Sequence, residues 1–377
     1  MKHITIHQWF VMASLLLLGP LLRLLPRLAA QEAGHAAWLA GLAALPLLIV
    51  YAVFLAKLWG SQPEGTGLPE LTLTLLGERS GKGVLLLYAG YLVFYGGFIL
   101  RSGAARLVVG IYPQASALPF VWSMGLLCLV AALGSVRSLG RCAKLLLPLV
   151  GGILLLTLSL AFQGVERENL VPVTIRDLPA LLRASLPVLD VVGLGLFLPQ
   201  FFLGCVEKRG ALLPRYLRWL GVQTGLVTLL IFTVVGNFGA ALVTQFTHPF
   251  FTLVRNLVLF RSFERMEALV INCWVFPDFL LVSLCVYAAQ YCLRLALGEQ
   301  PRDDSGSRLD VRGKRWLVFP CAAACLLLGS TLGSDFIRLR ALSDRVVPAL
   351  NLTLCYLTLP LLLGGEKIRK RLGKKER

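Results

Sequence analysis

Apolar runs of about 18 to 25 residues recur along the chain, separated by short polar connections. At about 1.5 Å of rise per helical residue, a run of this length crosses a hydrocarbon layer about 30 Å thick, so each predicts a membrane-spanning helix. The runs fall near 5–30, 35–58, 83–110, 117–136, 143–163, 184–206, 215–237, 268–296, 315–333 and 346–364. This pattern predicts an all-α polytopic membrane protein with about ten transmembrane helices. They form a single transmembrane domain over 1–364, followed by a basic cytoplasmic tail over 365–377. One connection, from Gly298 to Arg315, is polar and rich in turn formers, but it is too short to hold a further domain.

Two runs carry breaks. The first has Leu18-Gly19-Pro20 in its middle, and the sixth has Val192-Gly193-Leu194-Gly195 followed by Pro199. These occupy matching places if the ten spans divide five and five, with repeat one at about 5–163 and repeat two at about 184–364. Proline removes a backbone donor and glycine admits non-helical dihedrals, so backbone groups are freed at a depth where lipid cannot satisfy them. Either the breaks are simple kinks, or unwound backbone lines a cavity and holds a small solute, where a half-helix N-terminus can take a carboxylate. On the second reading Leu18, Gly19, Pro20, Gly193, Leu194 and Gly195 form the ligand cradle.

Composition supports the membrane reading, with a mean hydropathy of +0.75 and 57% hydrophobic residues. The net charge of +17 would also suit a nucleic-acid binder, but the placement of the charges argues for topology instead. With both termini in the cytoplasm, 24 of the 37 Lys and Arg fall on the cytoplasmic side, including all ten lysines from Lys2 to Lys375. The tail, from Lys367 onward, then reads as a stop and an anchor to anionic membrane lipids. A cleaved signal peptide fits poorly, because Arg23 and Arg27 interrupt the first apolar run.

Little else in the sequence carries chemistry. The nine cysteines lie in or beside apolar runs without CxxC pairs and read as small apolar residues; the four histidines show no metal-ligand spacing. No cofactor, metal or catalytic constellation is expected, so the chain reads as a non-enzyme. Asn351-Leu-Thr353 matches a glycosylation triplet by chance, since it lies inside a span. Gly221 and Gly225 read as a close-packing pair within the fold.

Ionisable and aromatic residues inside spans are better candidates. Asp190, beside the second break, could bind an ammonium group or exchange a proton. Asp278 follows Pro277 and either serves a site or pairs with a neighbouring cation. Tyr88, Tyr91 and Tyr95 share one helical face and either wall the pocket or pack between helices. Arg23 and Arg27 share a face of the first span; they could draw an anion inward, although snorkelling to the outer interface accounts for them better. The outer stretch from Phe238 to Glu267 reads as a short surface helix. Its charges Arg255, Glu264, Arg265 and Glu267 form either a signalling or partner surface or a salt-bridged cap.

The chain resembles the spore germination permeases, the integral-membrane B subunits of germinant receptors. The resemblance rests on Ile4-Thr-Ile-His-Gln8, Leu76-Gly77, Gly81-Lys82, Asn169-Leu-Val-Pro172-Val173, Arg255, Phe263-Glu-Arg-Met-Glu-Ala268 and Trp274. That family is similar to amino acid, polyamine and organocation transporters. This implies a LeuT-like fold with a five-plus-five inverted repeat and broken helices 1 and 6. It further implies a germinant-binding membrane subunit, with an A-type membrane subunit and a lipoprotein C subunit as partners, in the inner membrane of the spore. The alternative is a secondary active transporter of an amino acid or similar small solute. An acidic residue expected after the sixth-span glycine is absent here, where Leu194 follows Gly193.

Overall fold

The computed structural model describes residues 4–112, 114–207, 209–257, 273–298, 315–333 and 336–372. In chain order the α-helices are α1 (Ile6–Ala33), α2 (Ala40–Gly60), α3 (Leu68–Leu76), α4 (Glu78–Gly110), α5 (Leu118–Ala132), α6 (Val136–Ala161) and α7 (Leu178–Phe197). They continue with α8 (Leu212–Gln245), α9 (Pro249–Asn256), α10 (Val275–Ala296), α11 (Val318–Thr331), α12 (Phe336–Ala341) and α13 (Val347–Leu372). Each of the ten expected apolar runs overlaps one of these helices. Among the described residues, seven stretches are long and apolar enough to cross a membrane, and the first, Ile6–Gly60, holds both α1 and α2. α5 and α11 are shorter apolar helices. The protein is therefore an all-helical, multi-pass membrane protein.

The expected break in the first span is absent. α1 stays helical from Ile6 to Ala33 through Gly19, Pro20 and Pro26. Pro20 removes the N–H that would reach the Leu16 carbonyl, but one missing bond in a buried helix does not unwind it. The second break lies later than its glycines suggest. α7 remains helical through Gly193 and Gly195, then tightens into a 3-10 segment at Leu198–Cys205, with Pro199 near its start. The clearest interruption occurs elsewhere, in α8, where Gly239 has φ 72° and kinks the helix.

α1 sits at the centre, buried along almost its whole length and packed against α6, α7, α8 and α10. The Trp9 Nε1–H donates to the Pro199 carbonyl at 2.8 Å, and Leu17 lies against Gly195, so α7 runs antiparallel to α1. The start of α1 is fixed by a capping box. The Gln8 N–H donates to Thr5 Oγ1 at 3.2 Å, and the Thr5 N–H to Gln8 Oε1 at 3.0 Å. The Ile4 N–H donates to the Cys205 carbonyl at 3.0 Å. The Ile4–Gln8 motif thus clasps the end of the 3-10 segment.

α4 and α10 form the other tightly packed pair, with α5 and α11 against them. Arg106 of α4 and Asp278 of α10 make a buried salt bridge between them. None of the nine cysteines, all among the described residues, forms a disulfide. Gly221 and Gly225 lie on an exposed face of α8 with open space beside them, so they do not form the close contact that their spacing suggests.

Candidate functional site

Three polar side chains meet where α4, α7 and α13 converge. Asp190 of α7 is only 1% exposed, and its Oδ1 accepts from Asn351 Nδ2 at 2.7 Å. The Asn351 Oδ1 in turn accepts from the Tyr91 hydroxyl at 2.7 Å. The amide orientation follows from this network, since it must present its oxygen to a hydroxyl and its NH₂ to a carboxylate. Tyr95 stacks on Tyr91 with ring centroids 5.7 Å apart and lies within electrostatic reach of both Asp190 and Arg23. Tyr88, one turn earlier, packs edge-on against Phe197 and Phe201. The tyrosine face of α4 therefore meets α7, and only Tyr91 and Tyr95 reach the polar cluster.

The glycines expected to cradle a ligand do not converge on one point. A methyl group on Gly19 would sit 2.6 Å from Asp278 Oδ1, so Gly19 faces the Arg106–Asp278 pair rather than Asp190. Gly193 faces the Tyr356 hydroxyl, and Gly195 faces Leu17 and Trp219. Leu18, Pro20 and Leu194 are buried among their neighbours. Both aspartates are deeply buried. Asp278 is held by a neighbouring cation, whereas Asp190 is held by an amide and leaves room in its chemistry for a cationic ligand.

Arg23 and Arg27 do not snorkel. Each is 3% exposed, because α1 is the central helix and neither side chain reaches lipid headgroups. The Arg23 Nη1–H donates to Ser102 Oγ at 2.7 Å, and its guanidinium lies 4.9 Å from the Phe98 ring centroid. Arg27 pairs with Asp344, which also lies 3.7 Å from Arg340. Of the expected partner surface, Arg255 is exposed on α9 and donates to the Gly110 carbonyl at 2.5 Å. Glu264, Arg265 and Glu267 lie outside the described residues.

Asn351, Tyr356 and Arg106 were not singled out from the sequence. Asn351 carried a visible signal, a lone amide inside an apolar span, which the glycosylation triplet explained away. Two cavities lie in the surrounding bundle, and neither is lined by Tyr91, Asn351 or Asp190. An apolar groove of about 530 Å³ between α2, α7 and α13 is walled by Tyr51, Leu189 and Tyr356. A smaller cavity of about 40 Å³ lies beside Arg23 and Arg27.

No curated protein matches the sequence. Among solved structures, the fold is similar to MHP1, a nucleobase-cation-symport-1 family transporter in a closed conformation with bromovinylhydantoin bound. The two share 15% identity at a TM-score of 0.59, over 95% of this chain and 78% of that one. The architecture is thus a LeuT-like transporter fold. The family model described as "Spore germination protein" matches residues 3–328, and the chain belongs to that family of spore permeases.

Proposed function

We propose that this chain is the germinant-binding membrane subunit of a spore germinant receptor, with an amino acid as the germinant. The observation that carries the reading is the buried Tyr91–Asn351–Asp190 chain beside the central α1 helix. In this arrangement the three groups satisfy one another. An ammonium group would take over the Asp190 carboxylate, release the Asn351 amide and Tyr91 hydroxyl, and so bias α7 against α4 and α13. Sensing needs only such a ligand-biased change between two packings. The antiparallel α1–α7 pair supports two inverted halves, at about 5–163 and 184–364. The lysine distribution supports cytoplasmic termini, with the basic tail on anionic lipid. Signal transfer to an A-type membrane subunit and a lipoprotein C subunit, in the spore inner membrane, would use the outer surface that includes Arg255.

The test is germination of spores carrying Asp190→Asn or Tyr91→Phe, titrated with a panel of amino acids, with subunit abundance checked by immunoblot. A charged hydrogen bond is worth about 1.5–3 kcal/mol, so Asp190→Asn is expected to raise the half-maximal germinant concentration by about 10- to 100-fold. Tyr91→Phe, which removes one neutral bond made only before the ammonium binds, should lower it by less than about tenfold. Unchanged curves at normal abundance would place germinant binding elsewhere. A secondary active transporter is the second reading, favoured by the similarity of the fold to a symport-family protein.

A further inference from the structure

The small cavity beside Arg23 and Arg27 holds an excess of positive charge, and none of its lining residues belongs to the Tyr91–Asn351–Asp190 hydrogen-bond chain. It is also lined by Arg340, Thr247, His248 and Ser343, from α1, the turn before α9 and the α12–α13 region. Arg23 has no carboxylate within ion-pairing distance among the described residues. Its Nη1 is held by Ser102, while Nε and Nη2 are buried without an acceptor. Arg27 gives Nη2 to Asp344 and leaves Nε and Nη1 buried and unpartnered. The His248 Nδ1, on the same wall, is also unpartnered. Arg27 and Arg340 therefore share the single Asp344 carboxylate, Arg23 feels Asp190 and Asp344 only at a distance, and nearby Arg106 is neutralised by Asp278.

Buried guanidinium groups are retained where paired charge and hydrogen bonds compensate their lost hydration. Protein groups supply only part of that compensation here. The cavity volume of about 40 Å³ exceeds the roughly 10–15 Å³ that one water-sized probe needs, and falls far below the roughly 300 Å³ of a small-metabolite pocket. The space suits one monatomic ion or one carboxylate group.

We infer that Arg23 and Arg27, closed over by Arg340 and His248, form a binding site for a small monovalent anion, separate from the Asp190 cluster. Free Nε–H and Nη–H groups from two arginines on one face of α1 converge on the cavity, and the Arg23 stack on Phe98 fixes the first of them. The anion's charge would neutralise a joint that ties α1 to α4, α9 and α13. The chemistry is that of a halide or of the carboxylate of a small acid.

The test is equilibrium binding of radioactive chloride to the purified full chain in nanodiscs, in gluconate buffer, with acetate as competitor. Saturable binding of about one chloride per chain is expected, weakened by at least about tenfold in Arg23→Gln and in Arg340→Gln. Asp190→Asn, which removes a negative charge felt at Arg23, should still bind about one chloride per chain and at least as tightly as the unaltered chain, which separates this site from the germinant site. Competition by acetate would assign the site to carboxylates as well as halides; its failure would restrict it to inorganic halide. Absence of saturable binding by the unaltered chain overturns the inference without need of any variant. So does binding that neither substitution weakens.

Discussion

A methyl group placed on Gly193 would lie 2.5 Å from the Tyr356 hydroxyl and 3.0 Å from its ring carbon Cζ. The tyrosine cannot swing away freely, because its hydroxyl donates to the Leu189 carbonyl at 3.0 Å and its ring lies against Tyr51 at 4.7 Å. Overpacking of this kind costs about 1–3 kcal/mol. Gly193→Ala is therefore expected to lower the thermal stability of the purified protein by that amount. Tyr356→Phe, which removes the nearest atom, should recover part of the loss in the double variant. A coupling energy below about 0.5 kcal/mol across the four proteins would show that Gly193 does not rest on Tyr356. Some residues of this region were legible in the sequence and others were not. Asp190 stood out because a carboxylate inside an apolar run is costly wherever it points. Asn351 did not, because an amide is tolerated in many contexts and only the fold brings it to Asp190. Arg23 and Arg27 were misjudged for a related reason: periodicity places them on one face of a helix, but does not reveal that the helix is surrounded by other helices.

At the scale of elements, the apolar runs were legible because bilayer thickness sets their length, and each has its helix. The breaks were legible only as composition. A proline or glycine frees a backbone group, but whether the helix unwinds there depends on the neighbours that hold it straight, and these are distant in sequence. The 3-10 segment after α7 shows what such neighbours do. Gly204 lies so close to the loop before α3 that a methyl group on it would meet the Gly67 nitrogen at 2.8 Å and the Gly65 carbonyl oxygen at 3.0 Å. Backbone atoms cannot turn aside as a side chain can. Gly204→Ala should push this segment away from the loop and uncover Cys205, whose side chain is buried beside it. The measurement is maleimide labelling of the Cys205 peptide by mass spectrometry, with labelling at least about fivefold faster in the variant, equivalent to about 1 kcal/mol of local opening. Equal rates would mean that the contact yields without opening the segment.

The whole molecule closes its centre from both ends. On the side assigned to the cytoplasm, the Tyr291 hydroxyl donates to Glu70 and the Arg209 guanidinium donates to the Thr66 carbonyl, joining α10 and the segment after α7 to the start of α3. On the other side, Arg27 and Asp344 tie α1 to the region before α13, and Arg106 and Asp278 tie α4 to α10. A transporter must break one set while keeping the other, in turn, and must couple that exchange to a gradient. A sensor needs only to redistribute strain across both. The buried Arg106–Asp278 bridge argues for the sensor, because separating that pair without a replacement partner costs about 3–5 kcal/mol. Proteoliposomes containing this chain alone are therefore expected to show no gradient-driven, saturable uptake of the amino acids that trigger germination. Asp278→Asn leaves Arg106 buried without its partner, so its effect should appear as lost thermal stability rather than gained uptake. Saturable uptake by the unaltered protein, abolished by an ionophore that collapses the gradient, would instead make alternating access the working cycle and germinant sensing a use to which that cycle is put.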